Sequence, residues 1–102
     1  MRVISQDGTM DYPYENSIVF IDTRGVRDKA FVLMQAIGDD EASIMAQYST
    51  KEKAKKAMEE LRMAYMCHNL AKMGQTPPDG IDEKLTMGLS GVFEFPADEE
   101  LE

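Results

Sequence analysis

Two rhythms of apolar residues run through the sequence, and one gives way to the other at residue 49. Up to that point the apolar residues come in short runs separated by turn formers, as in strands. Residues 1–5 make the first run and end at Gln6-Asp7-Gly8-Thr9, where Asp-Gly is a strong turn signal. Tyr12-Pro13-Tyr14 stays extended, because the residue before a proline is driven out of the helical region. A second strand is predicted over 16–23. Its apolar residues, Ile18, Val19, Phe20 and Ile21, are consecutive, which predicts a strand at the sheet centre, covered by a helix on one face and a partner on the other. Gly25 between Arg24 and Arg27 marks a hairpin, and the run 30–37 reads as a third strand, although its Ala and Met leave a helix open. Gly38-Asp39-Asp40-Glu41 is a second turn and 43–48 a fourth strand. The expectation for 1–48 is an antiparallel meander of about four strands.

From Ser49 the period becomes 3.6. Ser49-Thr50-Lys51-Glu52 matches a capping box, with Ser49 as the expected N-cap of a helix over 49–73. Ala54, Ala57, Met58, Leu61, Tyr65 and His68 form one stripe, which should cover the sheet. Met63, Met66, Leu70 and Met73 form a second stripe on roughly the opposite side. A helix with two apolar faces needs two partners, so this second stripe is the expected seam of a homo-oligomer; the other reading is cover by the segment 74–90 of the same chain. Gly74 should end the helix, and Thr76-Pro77-Pro78-Asp79-Gly80 marks 74–90 as a loop or insertion. The segment 91–96 alternates apolar and polar residues, as a short edge strand stopped by Pro96 would, and 97–102 reads as a frayed acidic tail. The predicted fold class is α+β, a single domain in which a β-meander packs on one long helix and is joined by a short C-terminal strand.

Composition narrows the chemistry. With 102 residues, 43% hydrophobic and 29% charged, the chain sits in the globular range and is too short for a separate catalytic domain. No apolar run approaches the roughly 20 residues of a bilayer span, and no charged leader precedes one, so a cytoplasmic protein with no membrane partner is expected. A net charge of −8 opposes nonspecific nucleic-acid binding, which rests on cations neutralising phosphates. One Cys and one His are too few for a structural zinc site. Cys67 and His68 are adjacent, so on a helix they point about 100° apart and do not make a nucleophile–base pair. No phosphate loop, dinucleotide fingerprint or calcium loop is present. No catalytic residue, metal or cofactor is expected, and the chain reads as a binding protein rather than an enzyme.

Binding chemistry has more to draw on. Arg24 and Arg27 flank Gly25 in one turn, where two guanidiniums can fork onto phosphate oxygens; the plainer reading is that they offset Asp22 and Asp28. Lys51, Lys53, Lys55 and Lys56 crowd the first helical turns, at the end of the dipole that disfavours cations. Arg62, Tyr65 and Asn69 share a helix face, and Phe93 and Phe95 lie in the final strand. An aromatic face stacks a nucleobase, an arginine holds phosphate and an asparagine pairs with a base edge, so these five can line a nucleotide pocket. Ordinary packing of Tyr65, Phe93 and Phe95 is the competing reading.

Three blocks, MRVISQDGT with PYE, YSTKEKAKKAMEELRMAY and VFEFPADEEL, resemble a family of small proteins from phages and prophages of Gram-positive bacteria. In size and layout the chain is similar to the Thoeris anti-defence sponges, which bind cyclic ADP-ribose isomers made by bacterial TIR enzymes, and in some cases cyclic oligonucleotides, without cleaving them. The resemblance implies a homo-oligomer, a dimer or a higher assembly such as a hexamer, in the cytoplasm of the bacterial host. Two other classes stay open: an acidic inhibitor that binds a host defence protein as a nucleic-acid mimic, as some anti-CRISPR proteins do, and a structural phage accessory.

Overall fold

The computed structural model describes residues 1–23, 29–72 and 91–101. Strands β1 (Arg2–Ile4), β2 (Asp11–Pro13), β3 (Ser17–Asp22), β4 (Ala30–Ala36) and β5 (Ser43–Tyr48) precede helix α1 (Lys51–Lys72) and strand β6 (Val92–Glu94). This is an α+β fold in which an antiparallel meander packs on one helix. The meander is β3-β4-β5, while β1 lies in a second sheet of order β2-β1-β6, antiparallel to β2 and parallel to β6. The predicted hairpin at 24–28 lies outside the described residues, as does the segment 74–90.

The turn after β1 is built by one carboxylate. Asp7 accepts hydrogen bonds from Ser5 Oγ at 2.6 Å, Thr9 N–H at 3.0 Å and Thr9 Oγ1 at 2.7 Å. These donors favour the charged form and lower the Asp7 pKa to about 2. Gly8 turns the chain with φ +77°, a conformation that side chains with a Cβ resist.

Register assigns the two faces of the meander. Val19 pairs with Met34, Ile21 with Val32, and Val32 in turn with Ala46, on the face turned to α1. Phe20, Leu33 and Ile44 align on the opposite face. The helix closes the inner face with Ala54, Ala57, Leu61, Ala64 and Cys67, all buried. Three alanines let the backbone approach closely, and Leu61 supplies the bulk. Val3, Phe93 and Phe95 of the smaller sheet and its flank join the same core, so both sheets share one apolar interior.

Several expectations change. The centre of the sheet is β4, whose Val32, Leu33 and Met34 are buried, whereas β3, predicted as the centre, lies at the edge. Four consecutive apolar residues mark coverage on two faces only if something is there to cover them. The N-cap is Thr50, not Ser49: Thr50 Oγ1 accepts from the Lys53 N–H at 3.1 Å. Ser49 is drawn away by Asp98, which takes its N–H at 2.7 Å and its hydroxyl at 3.1 Å. Asp98 also binds Lys53 Nζ at 3.1 Å, and Leu101 is buried, so the acidic end of the chain is not frayed but forms a 3-10 turn, Asp98–Leu101, docked on the start of α1. The same hydrogen bonds, that from the Ser49 backbone first, hold the Asp98 carboxyl below its ordinary pKa.

Candidate functional site

The helix seals β4 and β5 more tightly than β3. On the inner face Val32, Met34 and Ala46 are at most 3% exposed, while Val19 and Ile21 of β3 stay half-buried. The incomplete cover leaves a groove between α1 and β3. It has two hollows of about 240 and 440 Å³ that share Met58 and Arg62. Val19 and Leu61 floor the first, with Tyr14 and Ser17 at its side. Ile21 lines the second, with Lys55 and Glu59.

Tyr14 comes from the 3-10 turn Tyr14–Asn16 that β2 feeds directly after Pro13, which positions its ring against the helix. The Tyr14 and Tyr65 ring centroids are 4.4 Å apart at 39°, and Tyr65 and His68 are 6.3 Å apart. Burial raises the Tyr14 phenol above its ordinary pKa; the Arg62 guanidinium opposes that shift, while Tyr65 and Glu15 add to it. Arg62 itself is exposed on the rim. A cation beside an aromatic pair over an apolar floor can hold an anion whose other end is a flat ring.

The predicted site residues separate. Arg62 lines both hollows, whereas Tyr65 lines neither and meets the groove only through its ring contact with Tyr14. Asn69 is exposed one turn further along α1 and does not line either hollow. Phe93 and Phe95 do not present a stacking face: they are 1% and 2% exposed and pack edge to face at 5.4 Å. They sit behind a different hollow of about 210 Å³ on the β6 side, whose polar lining is Gln6, Glu60, Glu94 and Glu100. Arg24 and Arg27 lie outside the described residues. Tyr14 and Lys55 are among the groove residues that the sequence left unassigned, with Ser17 and Glu59, since Tyr12-Pro13-Tyr14 spoke only for backbone shape and Lys55 was one lysine in a crowd.

The second helix stripe also divides. Met63 lines a hollow with Leu101, so the docked turn meets the start of that stripe within the chain. Met66 is 42% exposed and Leu70 half-buried, while Met73 is outside the described residues. Cys67 is a buried free thiol. His68 packs beside Gly91, where a Cβ would stand 3.5 Å from the imidazole. Among the described residues no cluster of three or more His, Cys, Asp or Glu can hold a metal ion, and no helix is long and apolar enough to cross a membrane. No protein family, curated protein or solved structure matches the chain.

Proposed function

We propose that the chain is a non-enzymatic binding protein that sequesters a small nucleotide signal in the α1/β3 groove. The observation that carries this reading is Arg62 beside the Tyr14–Tyr65 pair, over the apolar floor of Val19 and Leu61. In a chain of net charge −8, the cations Lys55 and Arg62 must focus a positive field locally for an anion to enter. The resemblance to phage anti-defence sponges selects a cyclic ADP-ribose isomer as the ligand and the cytoplasm of a bacterial host as the place. Sequestration needs tight binding and abundance and no chemical step, and a homo-oligomer serves it by raising the number of sites per particle.

Calorimetry of the protein with a cyclic ADP-ribose isomer tests the reading. Heat of binding with a Kd in the micromolar range or below, and recovery of intact ligand after thermal denaturation, are expected. Arg62→Ala is expected to weaken binding by about 10- to 100-fold, as for a lost charge-assisted hydrogen bond. Absence of heat with every TIR product tried, or recovery of a cleaved ligand, overturns it.

One observation favours the acidic-inhibitor reading instead. Asp39, Asp40 and Glu41 are all exposed and rim a shallow hollow of about 430 Å³ with Tyr12 and Ser43. At the acidic end of the chain Asp98 is engaged with α1, while Glu99 and Glu100 stay exposed. A host nuclease retained on the protein in a salt-sensitive pull-down, and lost when residues 39–41 are neutralised, marks this alternative.

A further inference from the structure

The two edges of the meander are treated differently. At β5 the edge is blunted: pairing with β4 shifts register at Val32/Leu33, Gln6 N–H donates to the Met45 carbonyl at 2.7 Å, and Gln47 N–H donates to Gln6 Oε1 at 3.0 Å. At β3 there is no such device among the described residues. It runs six residues with no lysine, proline or register shift, and proteins normally protect such an edge from pairing.

The phase of the ladder says which groups β3 offers. Ile37 N–H donates to the Asn16 carbonyl at 2.8 Å, and bonded pairs alternate along an antiparallel ladder. Ile18, Phe20 and Asp22 therefore turn their main-chain groups to β4, while Val19 and Ile21 turn theirs outward. On the outer face of the sheet Ile18, Phe20, Phe31, Leu33 and Ile44 stand apart from the core cluster, with Ile18 58% and Ile44 40% exposed at its margins, Phe20 and Phe31 half-buried and Leu33 buried at its centre.

We propose that two copies of this chain pair through β3, antiparallel, about a two-fold axis at Phe20, and so join two meanders into one six-stranded sheet. In that register Val19 lies opposite the partner's Ile21, and Ile21 opposite the partner's Val19, so the outward groups of both residues meet in four main-chain hydrogen bonds. Phe20 faces the partner's Phe20 across the closer, non-bonded position, about 4.5 Å between Cα atoms. The outer apolar stripe becomes continuous across the axis. Charge does not oppose this pairing: the one carboxylate of β3 is Asp22, and its two copies stand four residues, about 14 Å, apart along the strands, beyond a Debye length of about 8 Å. A strand edge is a small interface against the roughly 800 Å² per partner of a standard one, so a weak, reversible dimer is expected. The pairing does not rest on the nucleotide reading, although the two share residues: the main chains of Val19 and Ile21 pair at the edge while their side chains line the two hollows.

Cysteine cross-linking tests both the pairing and its register. Cys67 is fully buried, so an added thiol is the reporter. Under mild oxidation Phe20→Cys is expected to convert mostly to a disulfide-linked dimer. Ile18→Cys is expected to stay unlinked, because its counterpart lies about 14 Å away and a disulfide spans at most about 7 Å between Cα atoms. Sedimentation of the unaltered chain should show a dimer growing in through the micromolar range. Val19→Pro removes one outward N–H while sparing the ladder to β4, and should weaken that dimer at least tenfold with an unchanged circular dichroism spectrum. Equal linking of Ile18→Cys and Phe20→Cys overturns the register. A lone copy at every concentration to several hundred micromolar overturns the pairing. Should Val19→Pro fail to fold, the comparison of the two cysteine variants still decides.

Discussion

The β3 and β6 flanks of α1 draw on neighbouring helix positions and differ in charge. On the β3 side the cations Arg62 and Lys55 outnumber the single acid Glu59 around an apolar floor; on the β6 side Glu60 joins Glu94 and Glu100 over Phe95. An excess of acid over the whole chain therefore says little about either flank. A helix separates charges by 100° per residue, so Glu60 and Arg62 serve different surfaces although only Leu61 lies between them. The sign of a ligand is set by the flank it meets.

The wall between the flanks is the place to break this contrast. Leu61 is 1% exposed and floors the groove, so Leu61→Ala should cost about 2–5 kcal/mol, read as a lowered urea midpoint. A loss below about 1 kcal/mol means that the helix does not divide the two surfaces by packing. Charge reversal sharpens the contrast next. Arg62→Glu should weaken nucleotide binding by more than about 100-fold, whereas Glu60→Lys, on the other flank, should change it by less than about threefold in calorimetry. Equal effects from the two reversals would show that the chain responds to net charge rather than to the flank.

Smaller effects concern the helix start that both flanks share. Thr50→Ala removes the capping oxygen and should cost about 1 kcal/mol in thermal or denaturant unfolding, more than Ser49→Ala, whose hydroxyl serves Asp98 at an exposed site. Last comes acid. Asp7 and Asp98 have folded pKa values below their ordinary ones, so their contribution to stability is present above the unfolded value near 4 and is lost as pH falls toward 2. The melting temperature should drop over that interval, and Asp7→Asn should flatten the drop.

Legibility in the sequence followed the range of the interaction. The helix, the turn at Asp7-Gly8 and the α+β class depend on local periodicity and turn chemistry, and they were readable. The choice of Thr50 over Ser49 was not, because Asp98, about fifty residues away, overrides the local capping pattern at Ser49. The place of β1 in a second sheet was hidden for the same reason: Val3 pairs with Phe93 in parallel, and nothing near Val3 announces it. Helical spacing set Arg62 and Tyr65 on one face, and of the two only Arg62 lines the groove. Tyr14 was not legible, since its meeting with Tyr65 depends on how the chain after Pro13 returns to the helix. Phe93 and Phe95 looked like ligand platforms because aromatic residues in a short strand read alike whether they stack on a base or on each other.

The parallel pairing of β1 with β6 governs the order in which the molecule is completed. Residues 2–4 leave the ribosome some ninety residues ahead of the strand they are matched to, an interval of roughly 5–18 s at ordinary synthesis rates. Throughout it the nascent chain has only β2 beside β1, and the space that Phe93 and Phe95 fill stays open. Joining β6 to β1 is therefore a long loop closure, of the kind that slows folding, and a truncation just short of residue 92 should leave a collapsed but unlocked chain.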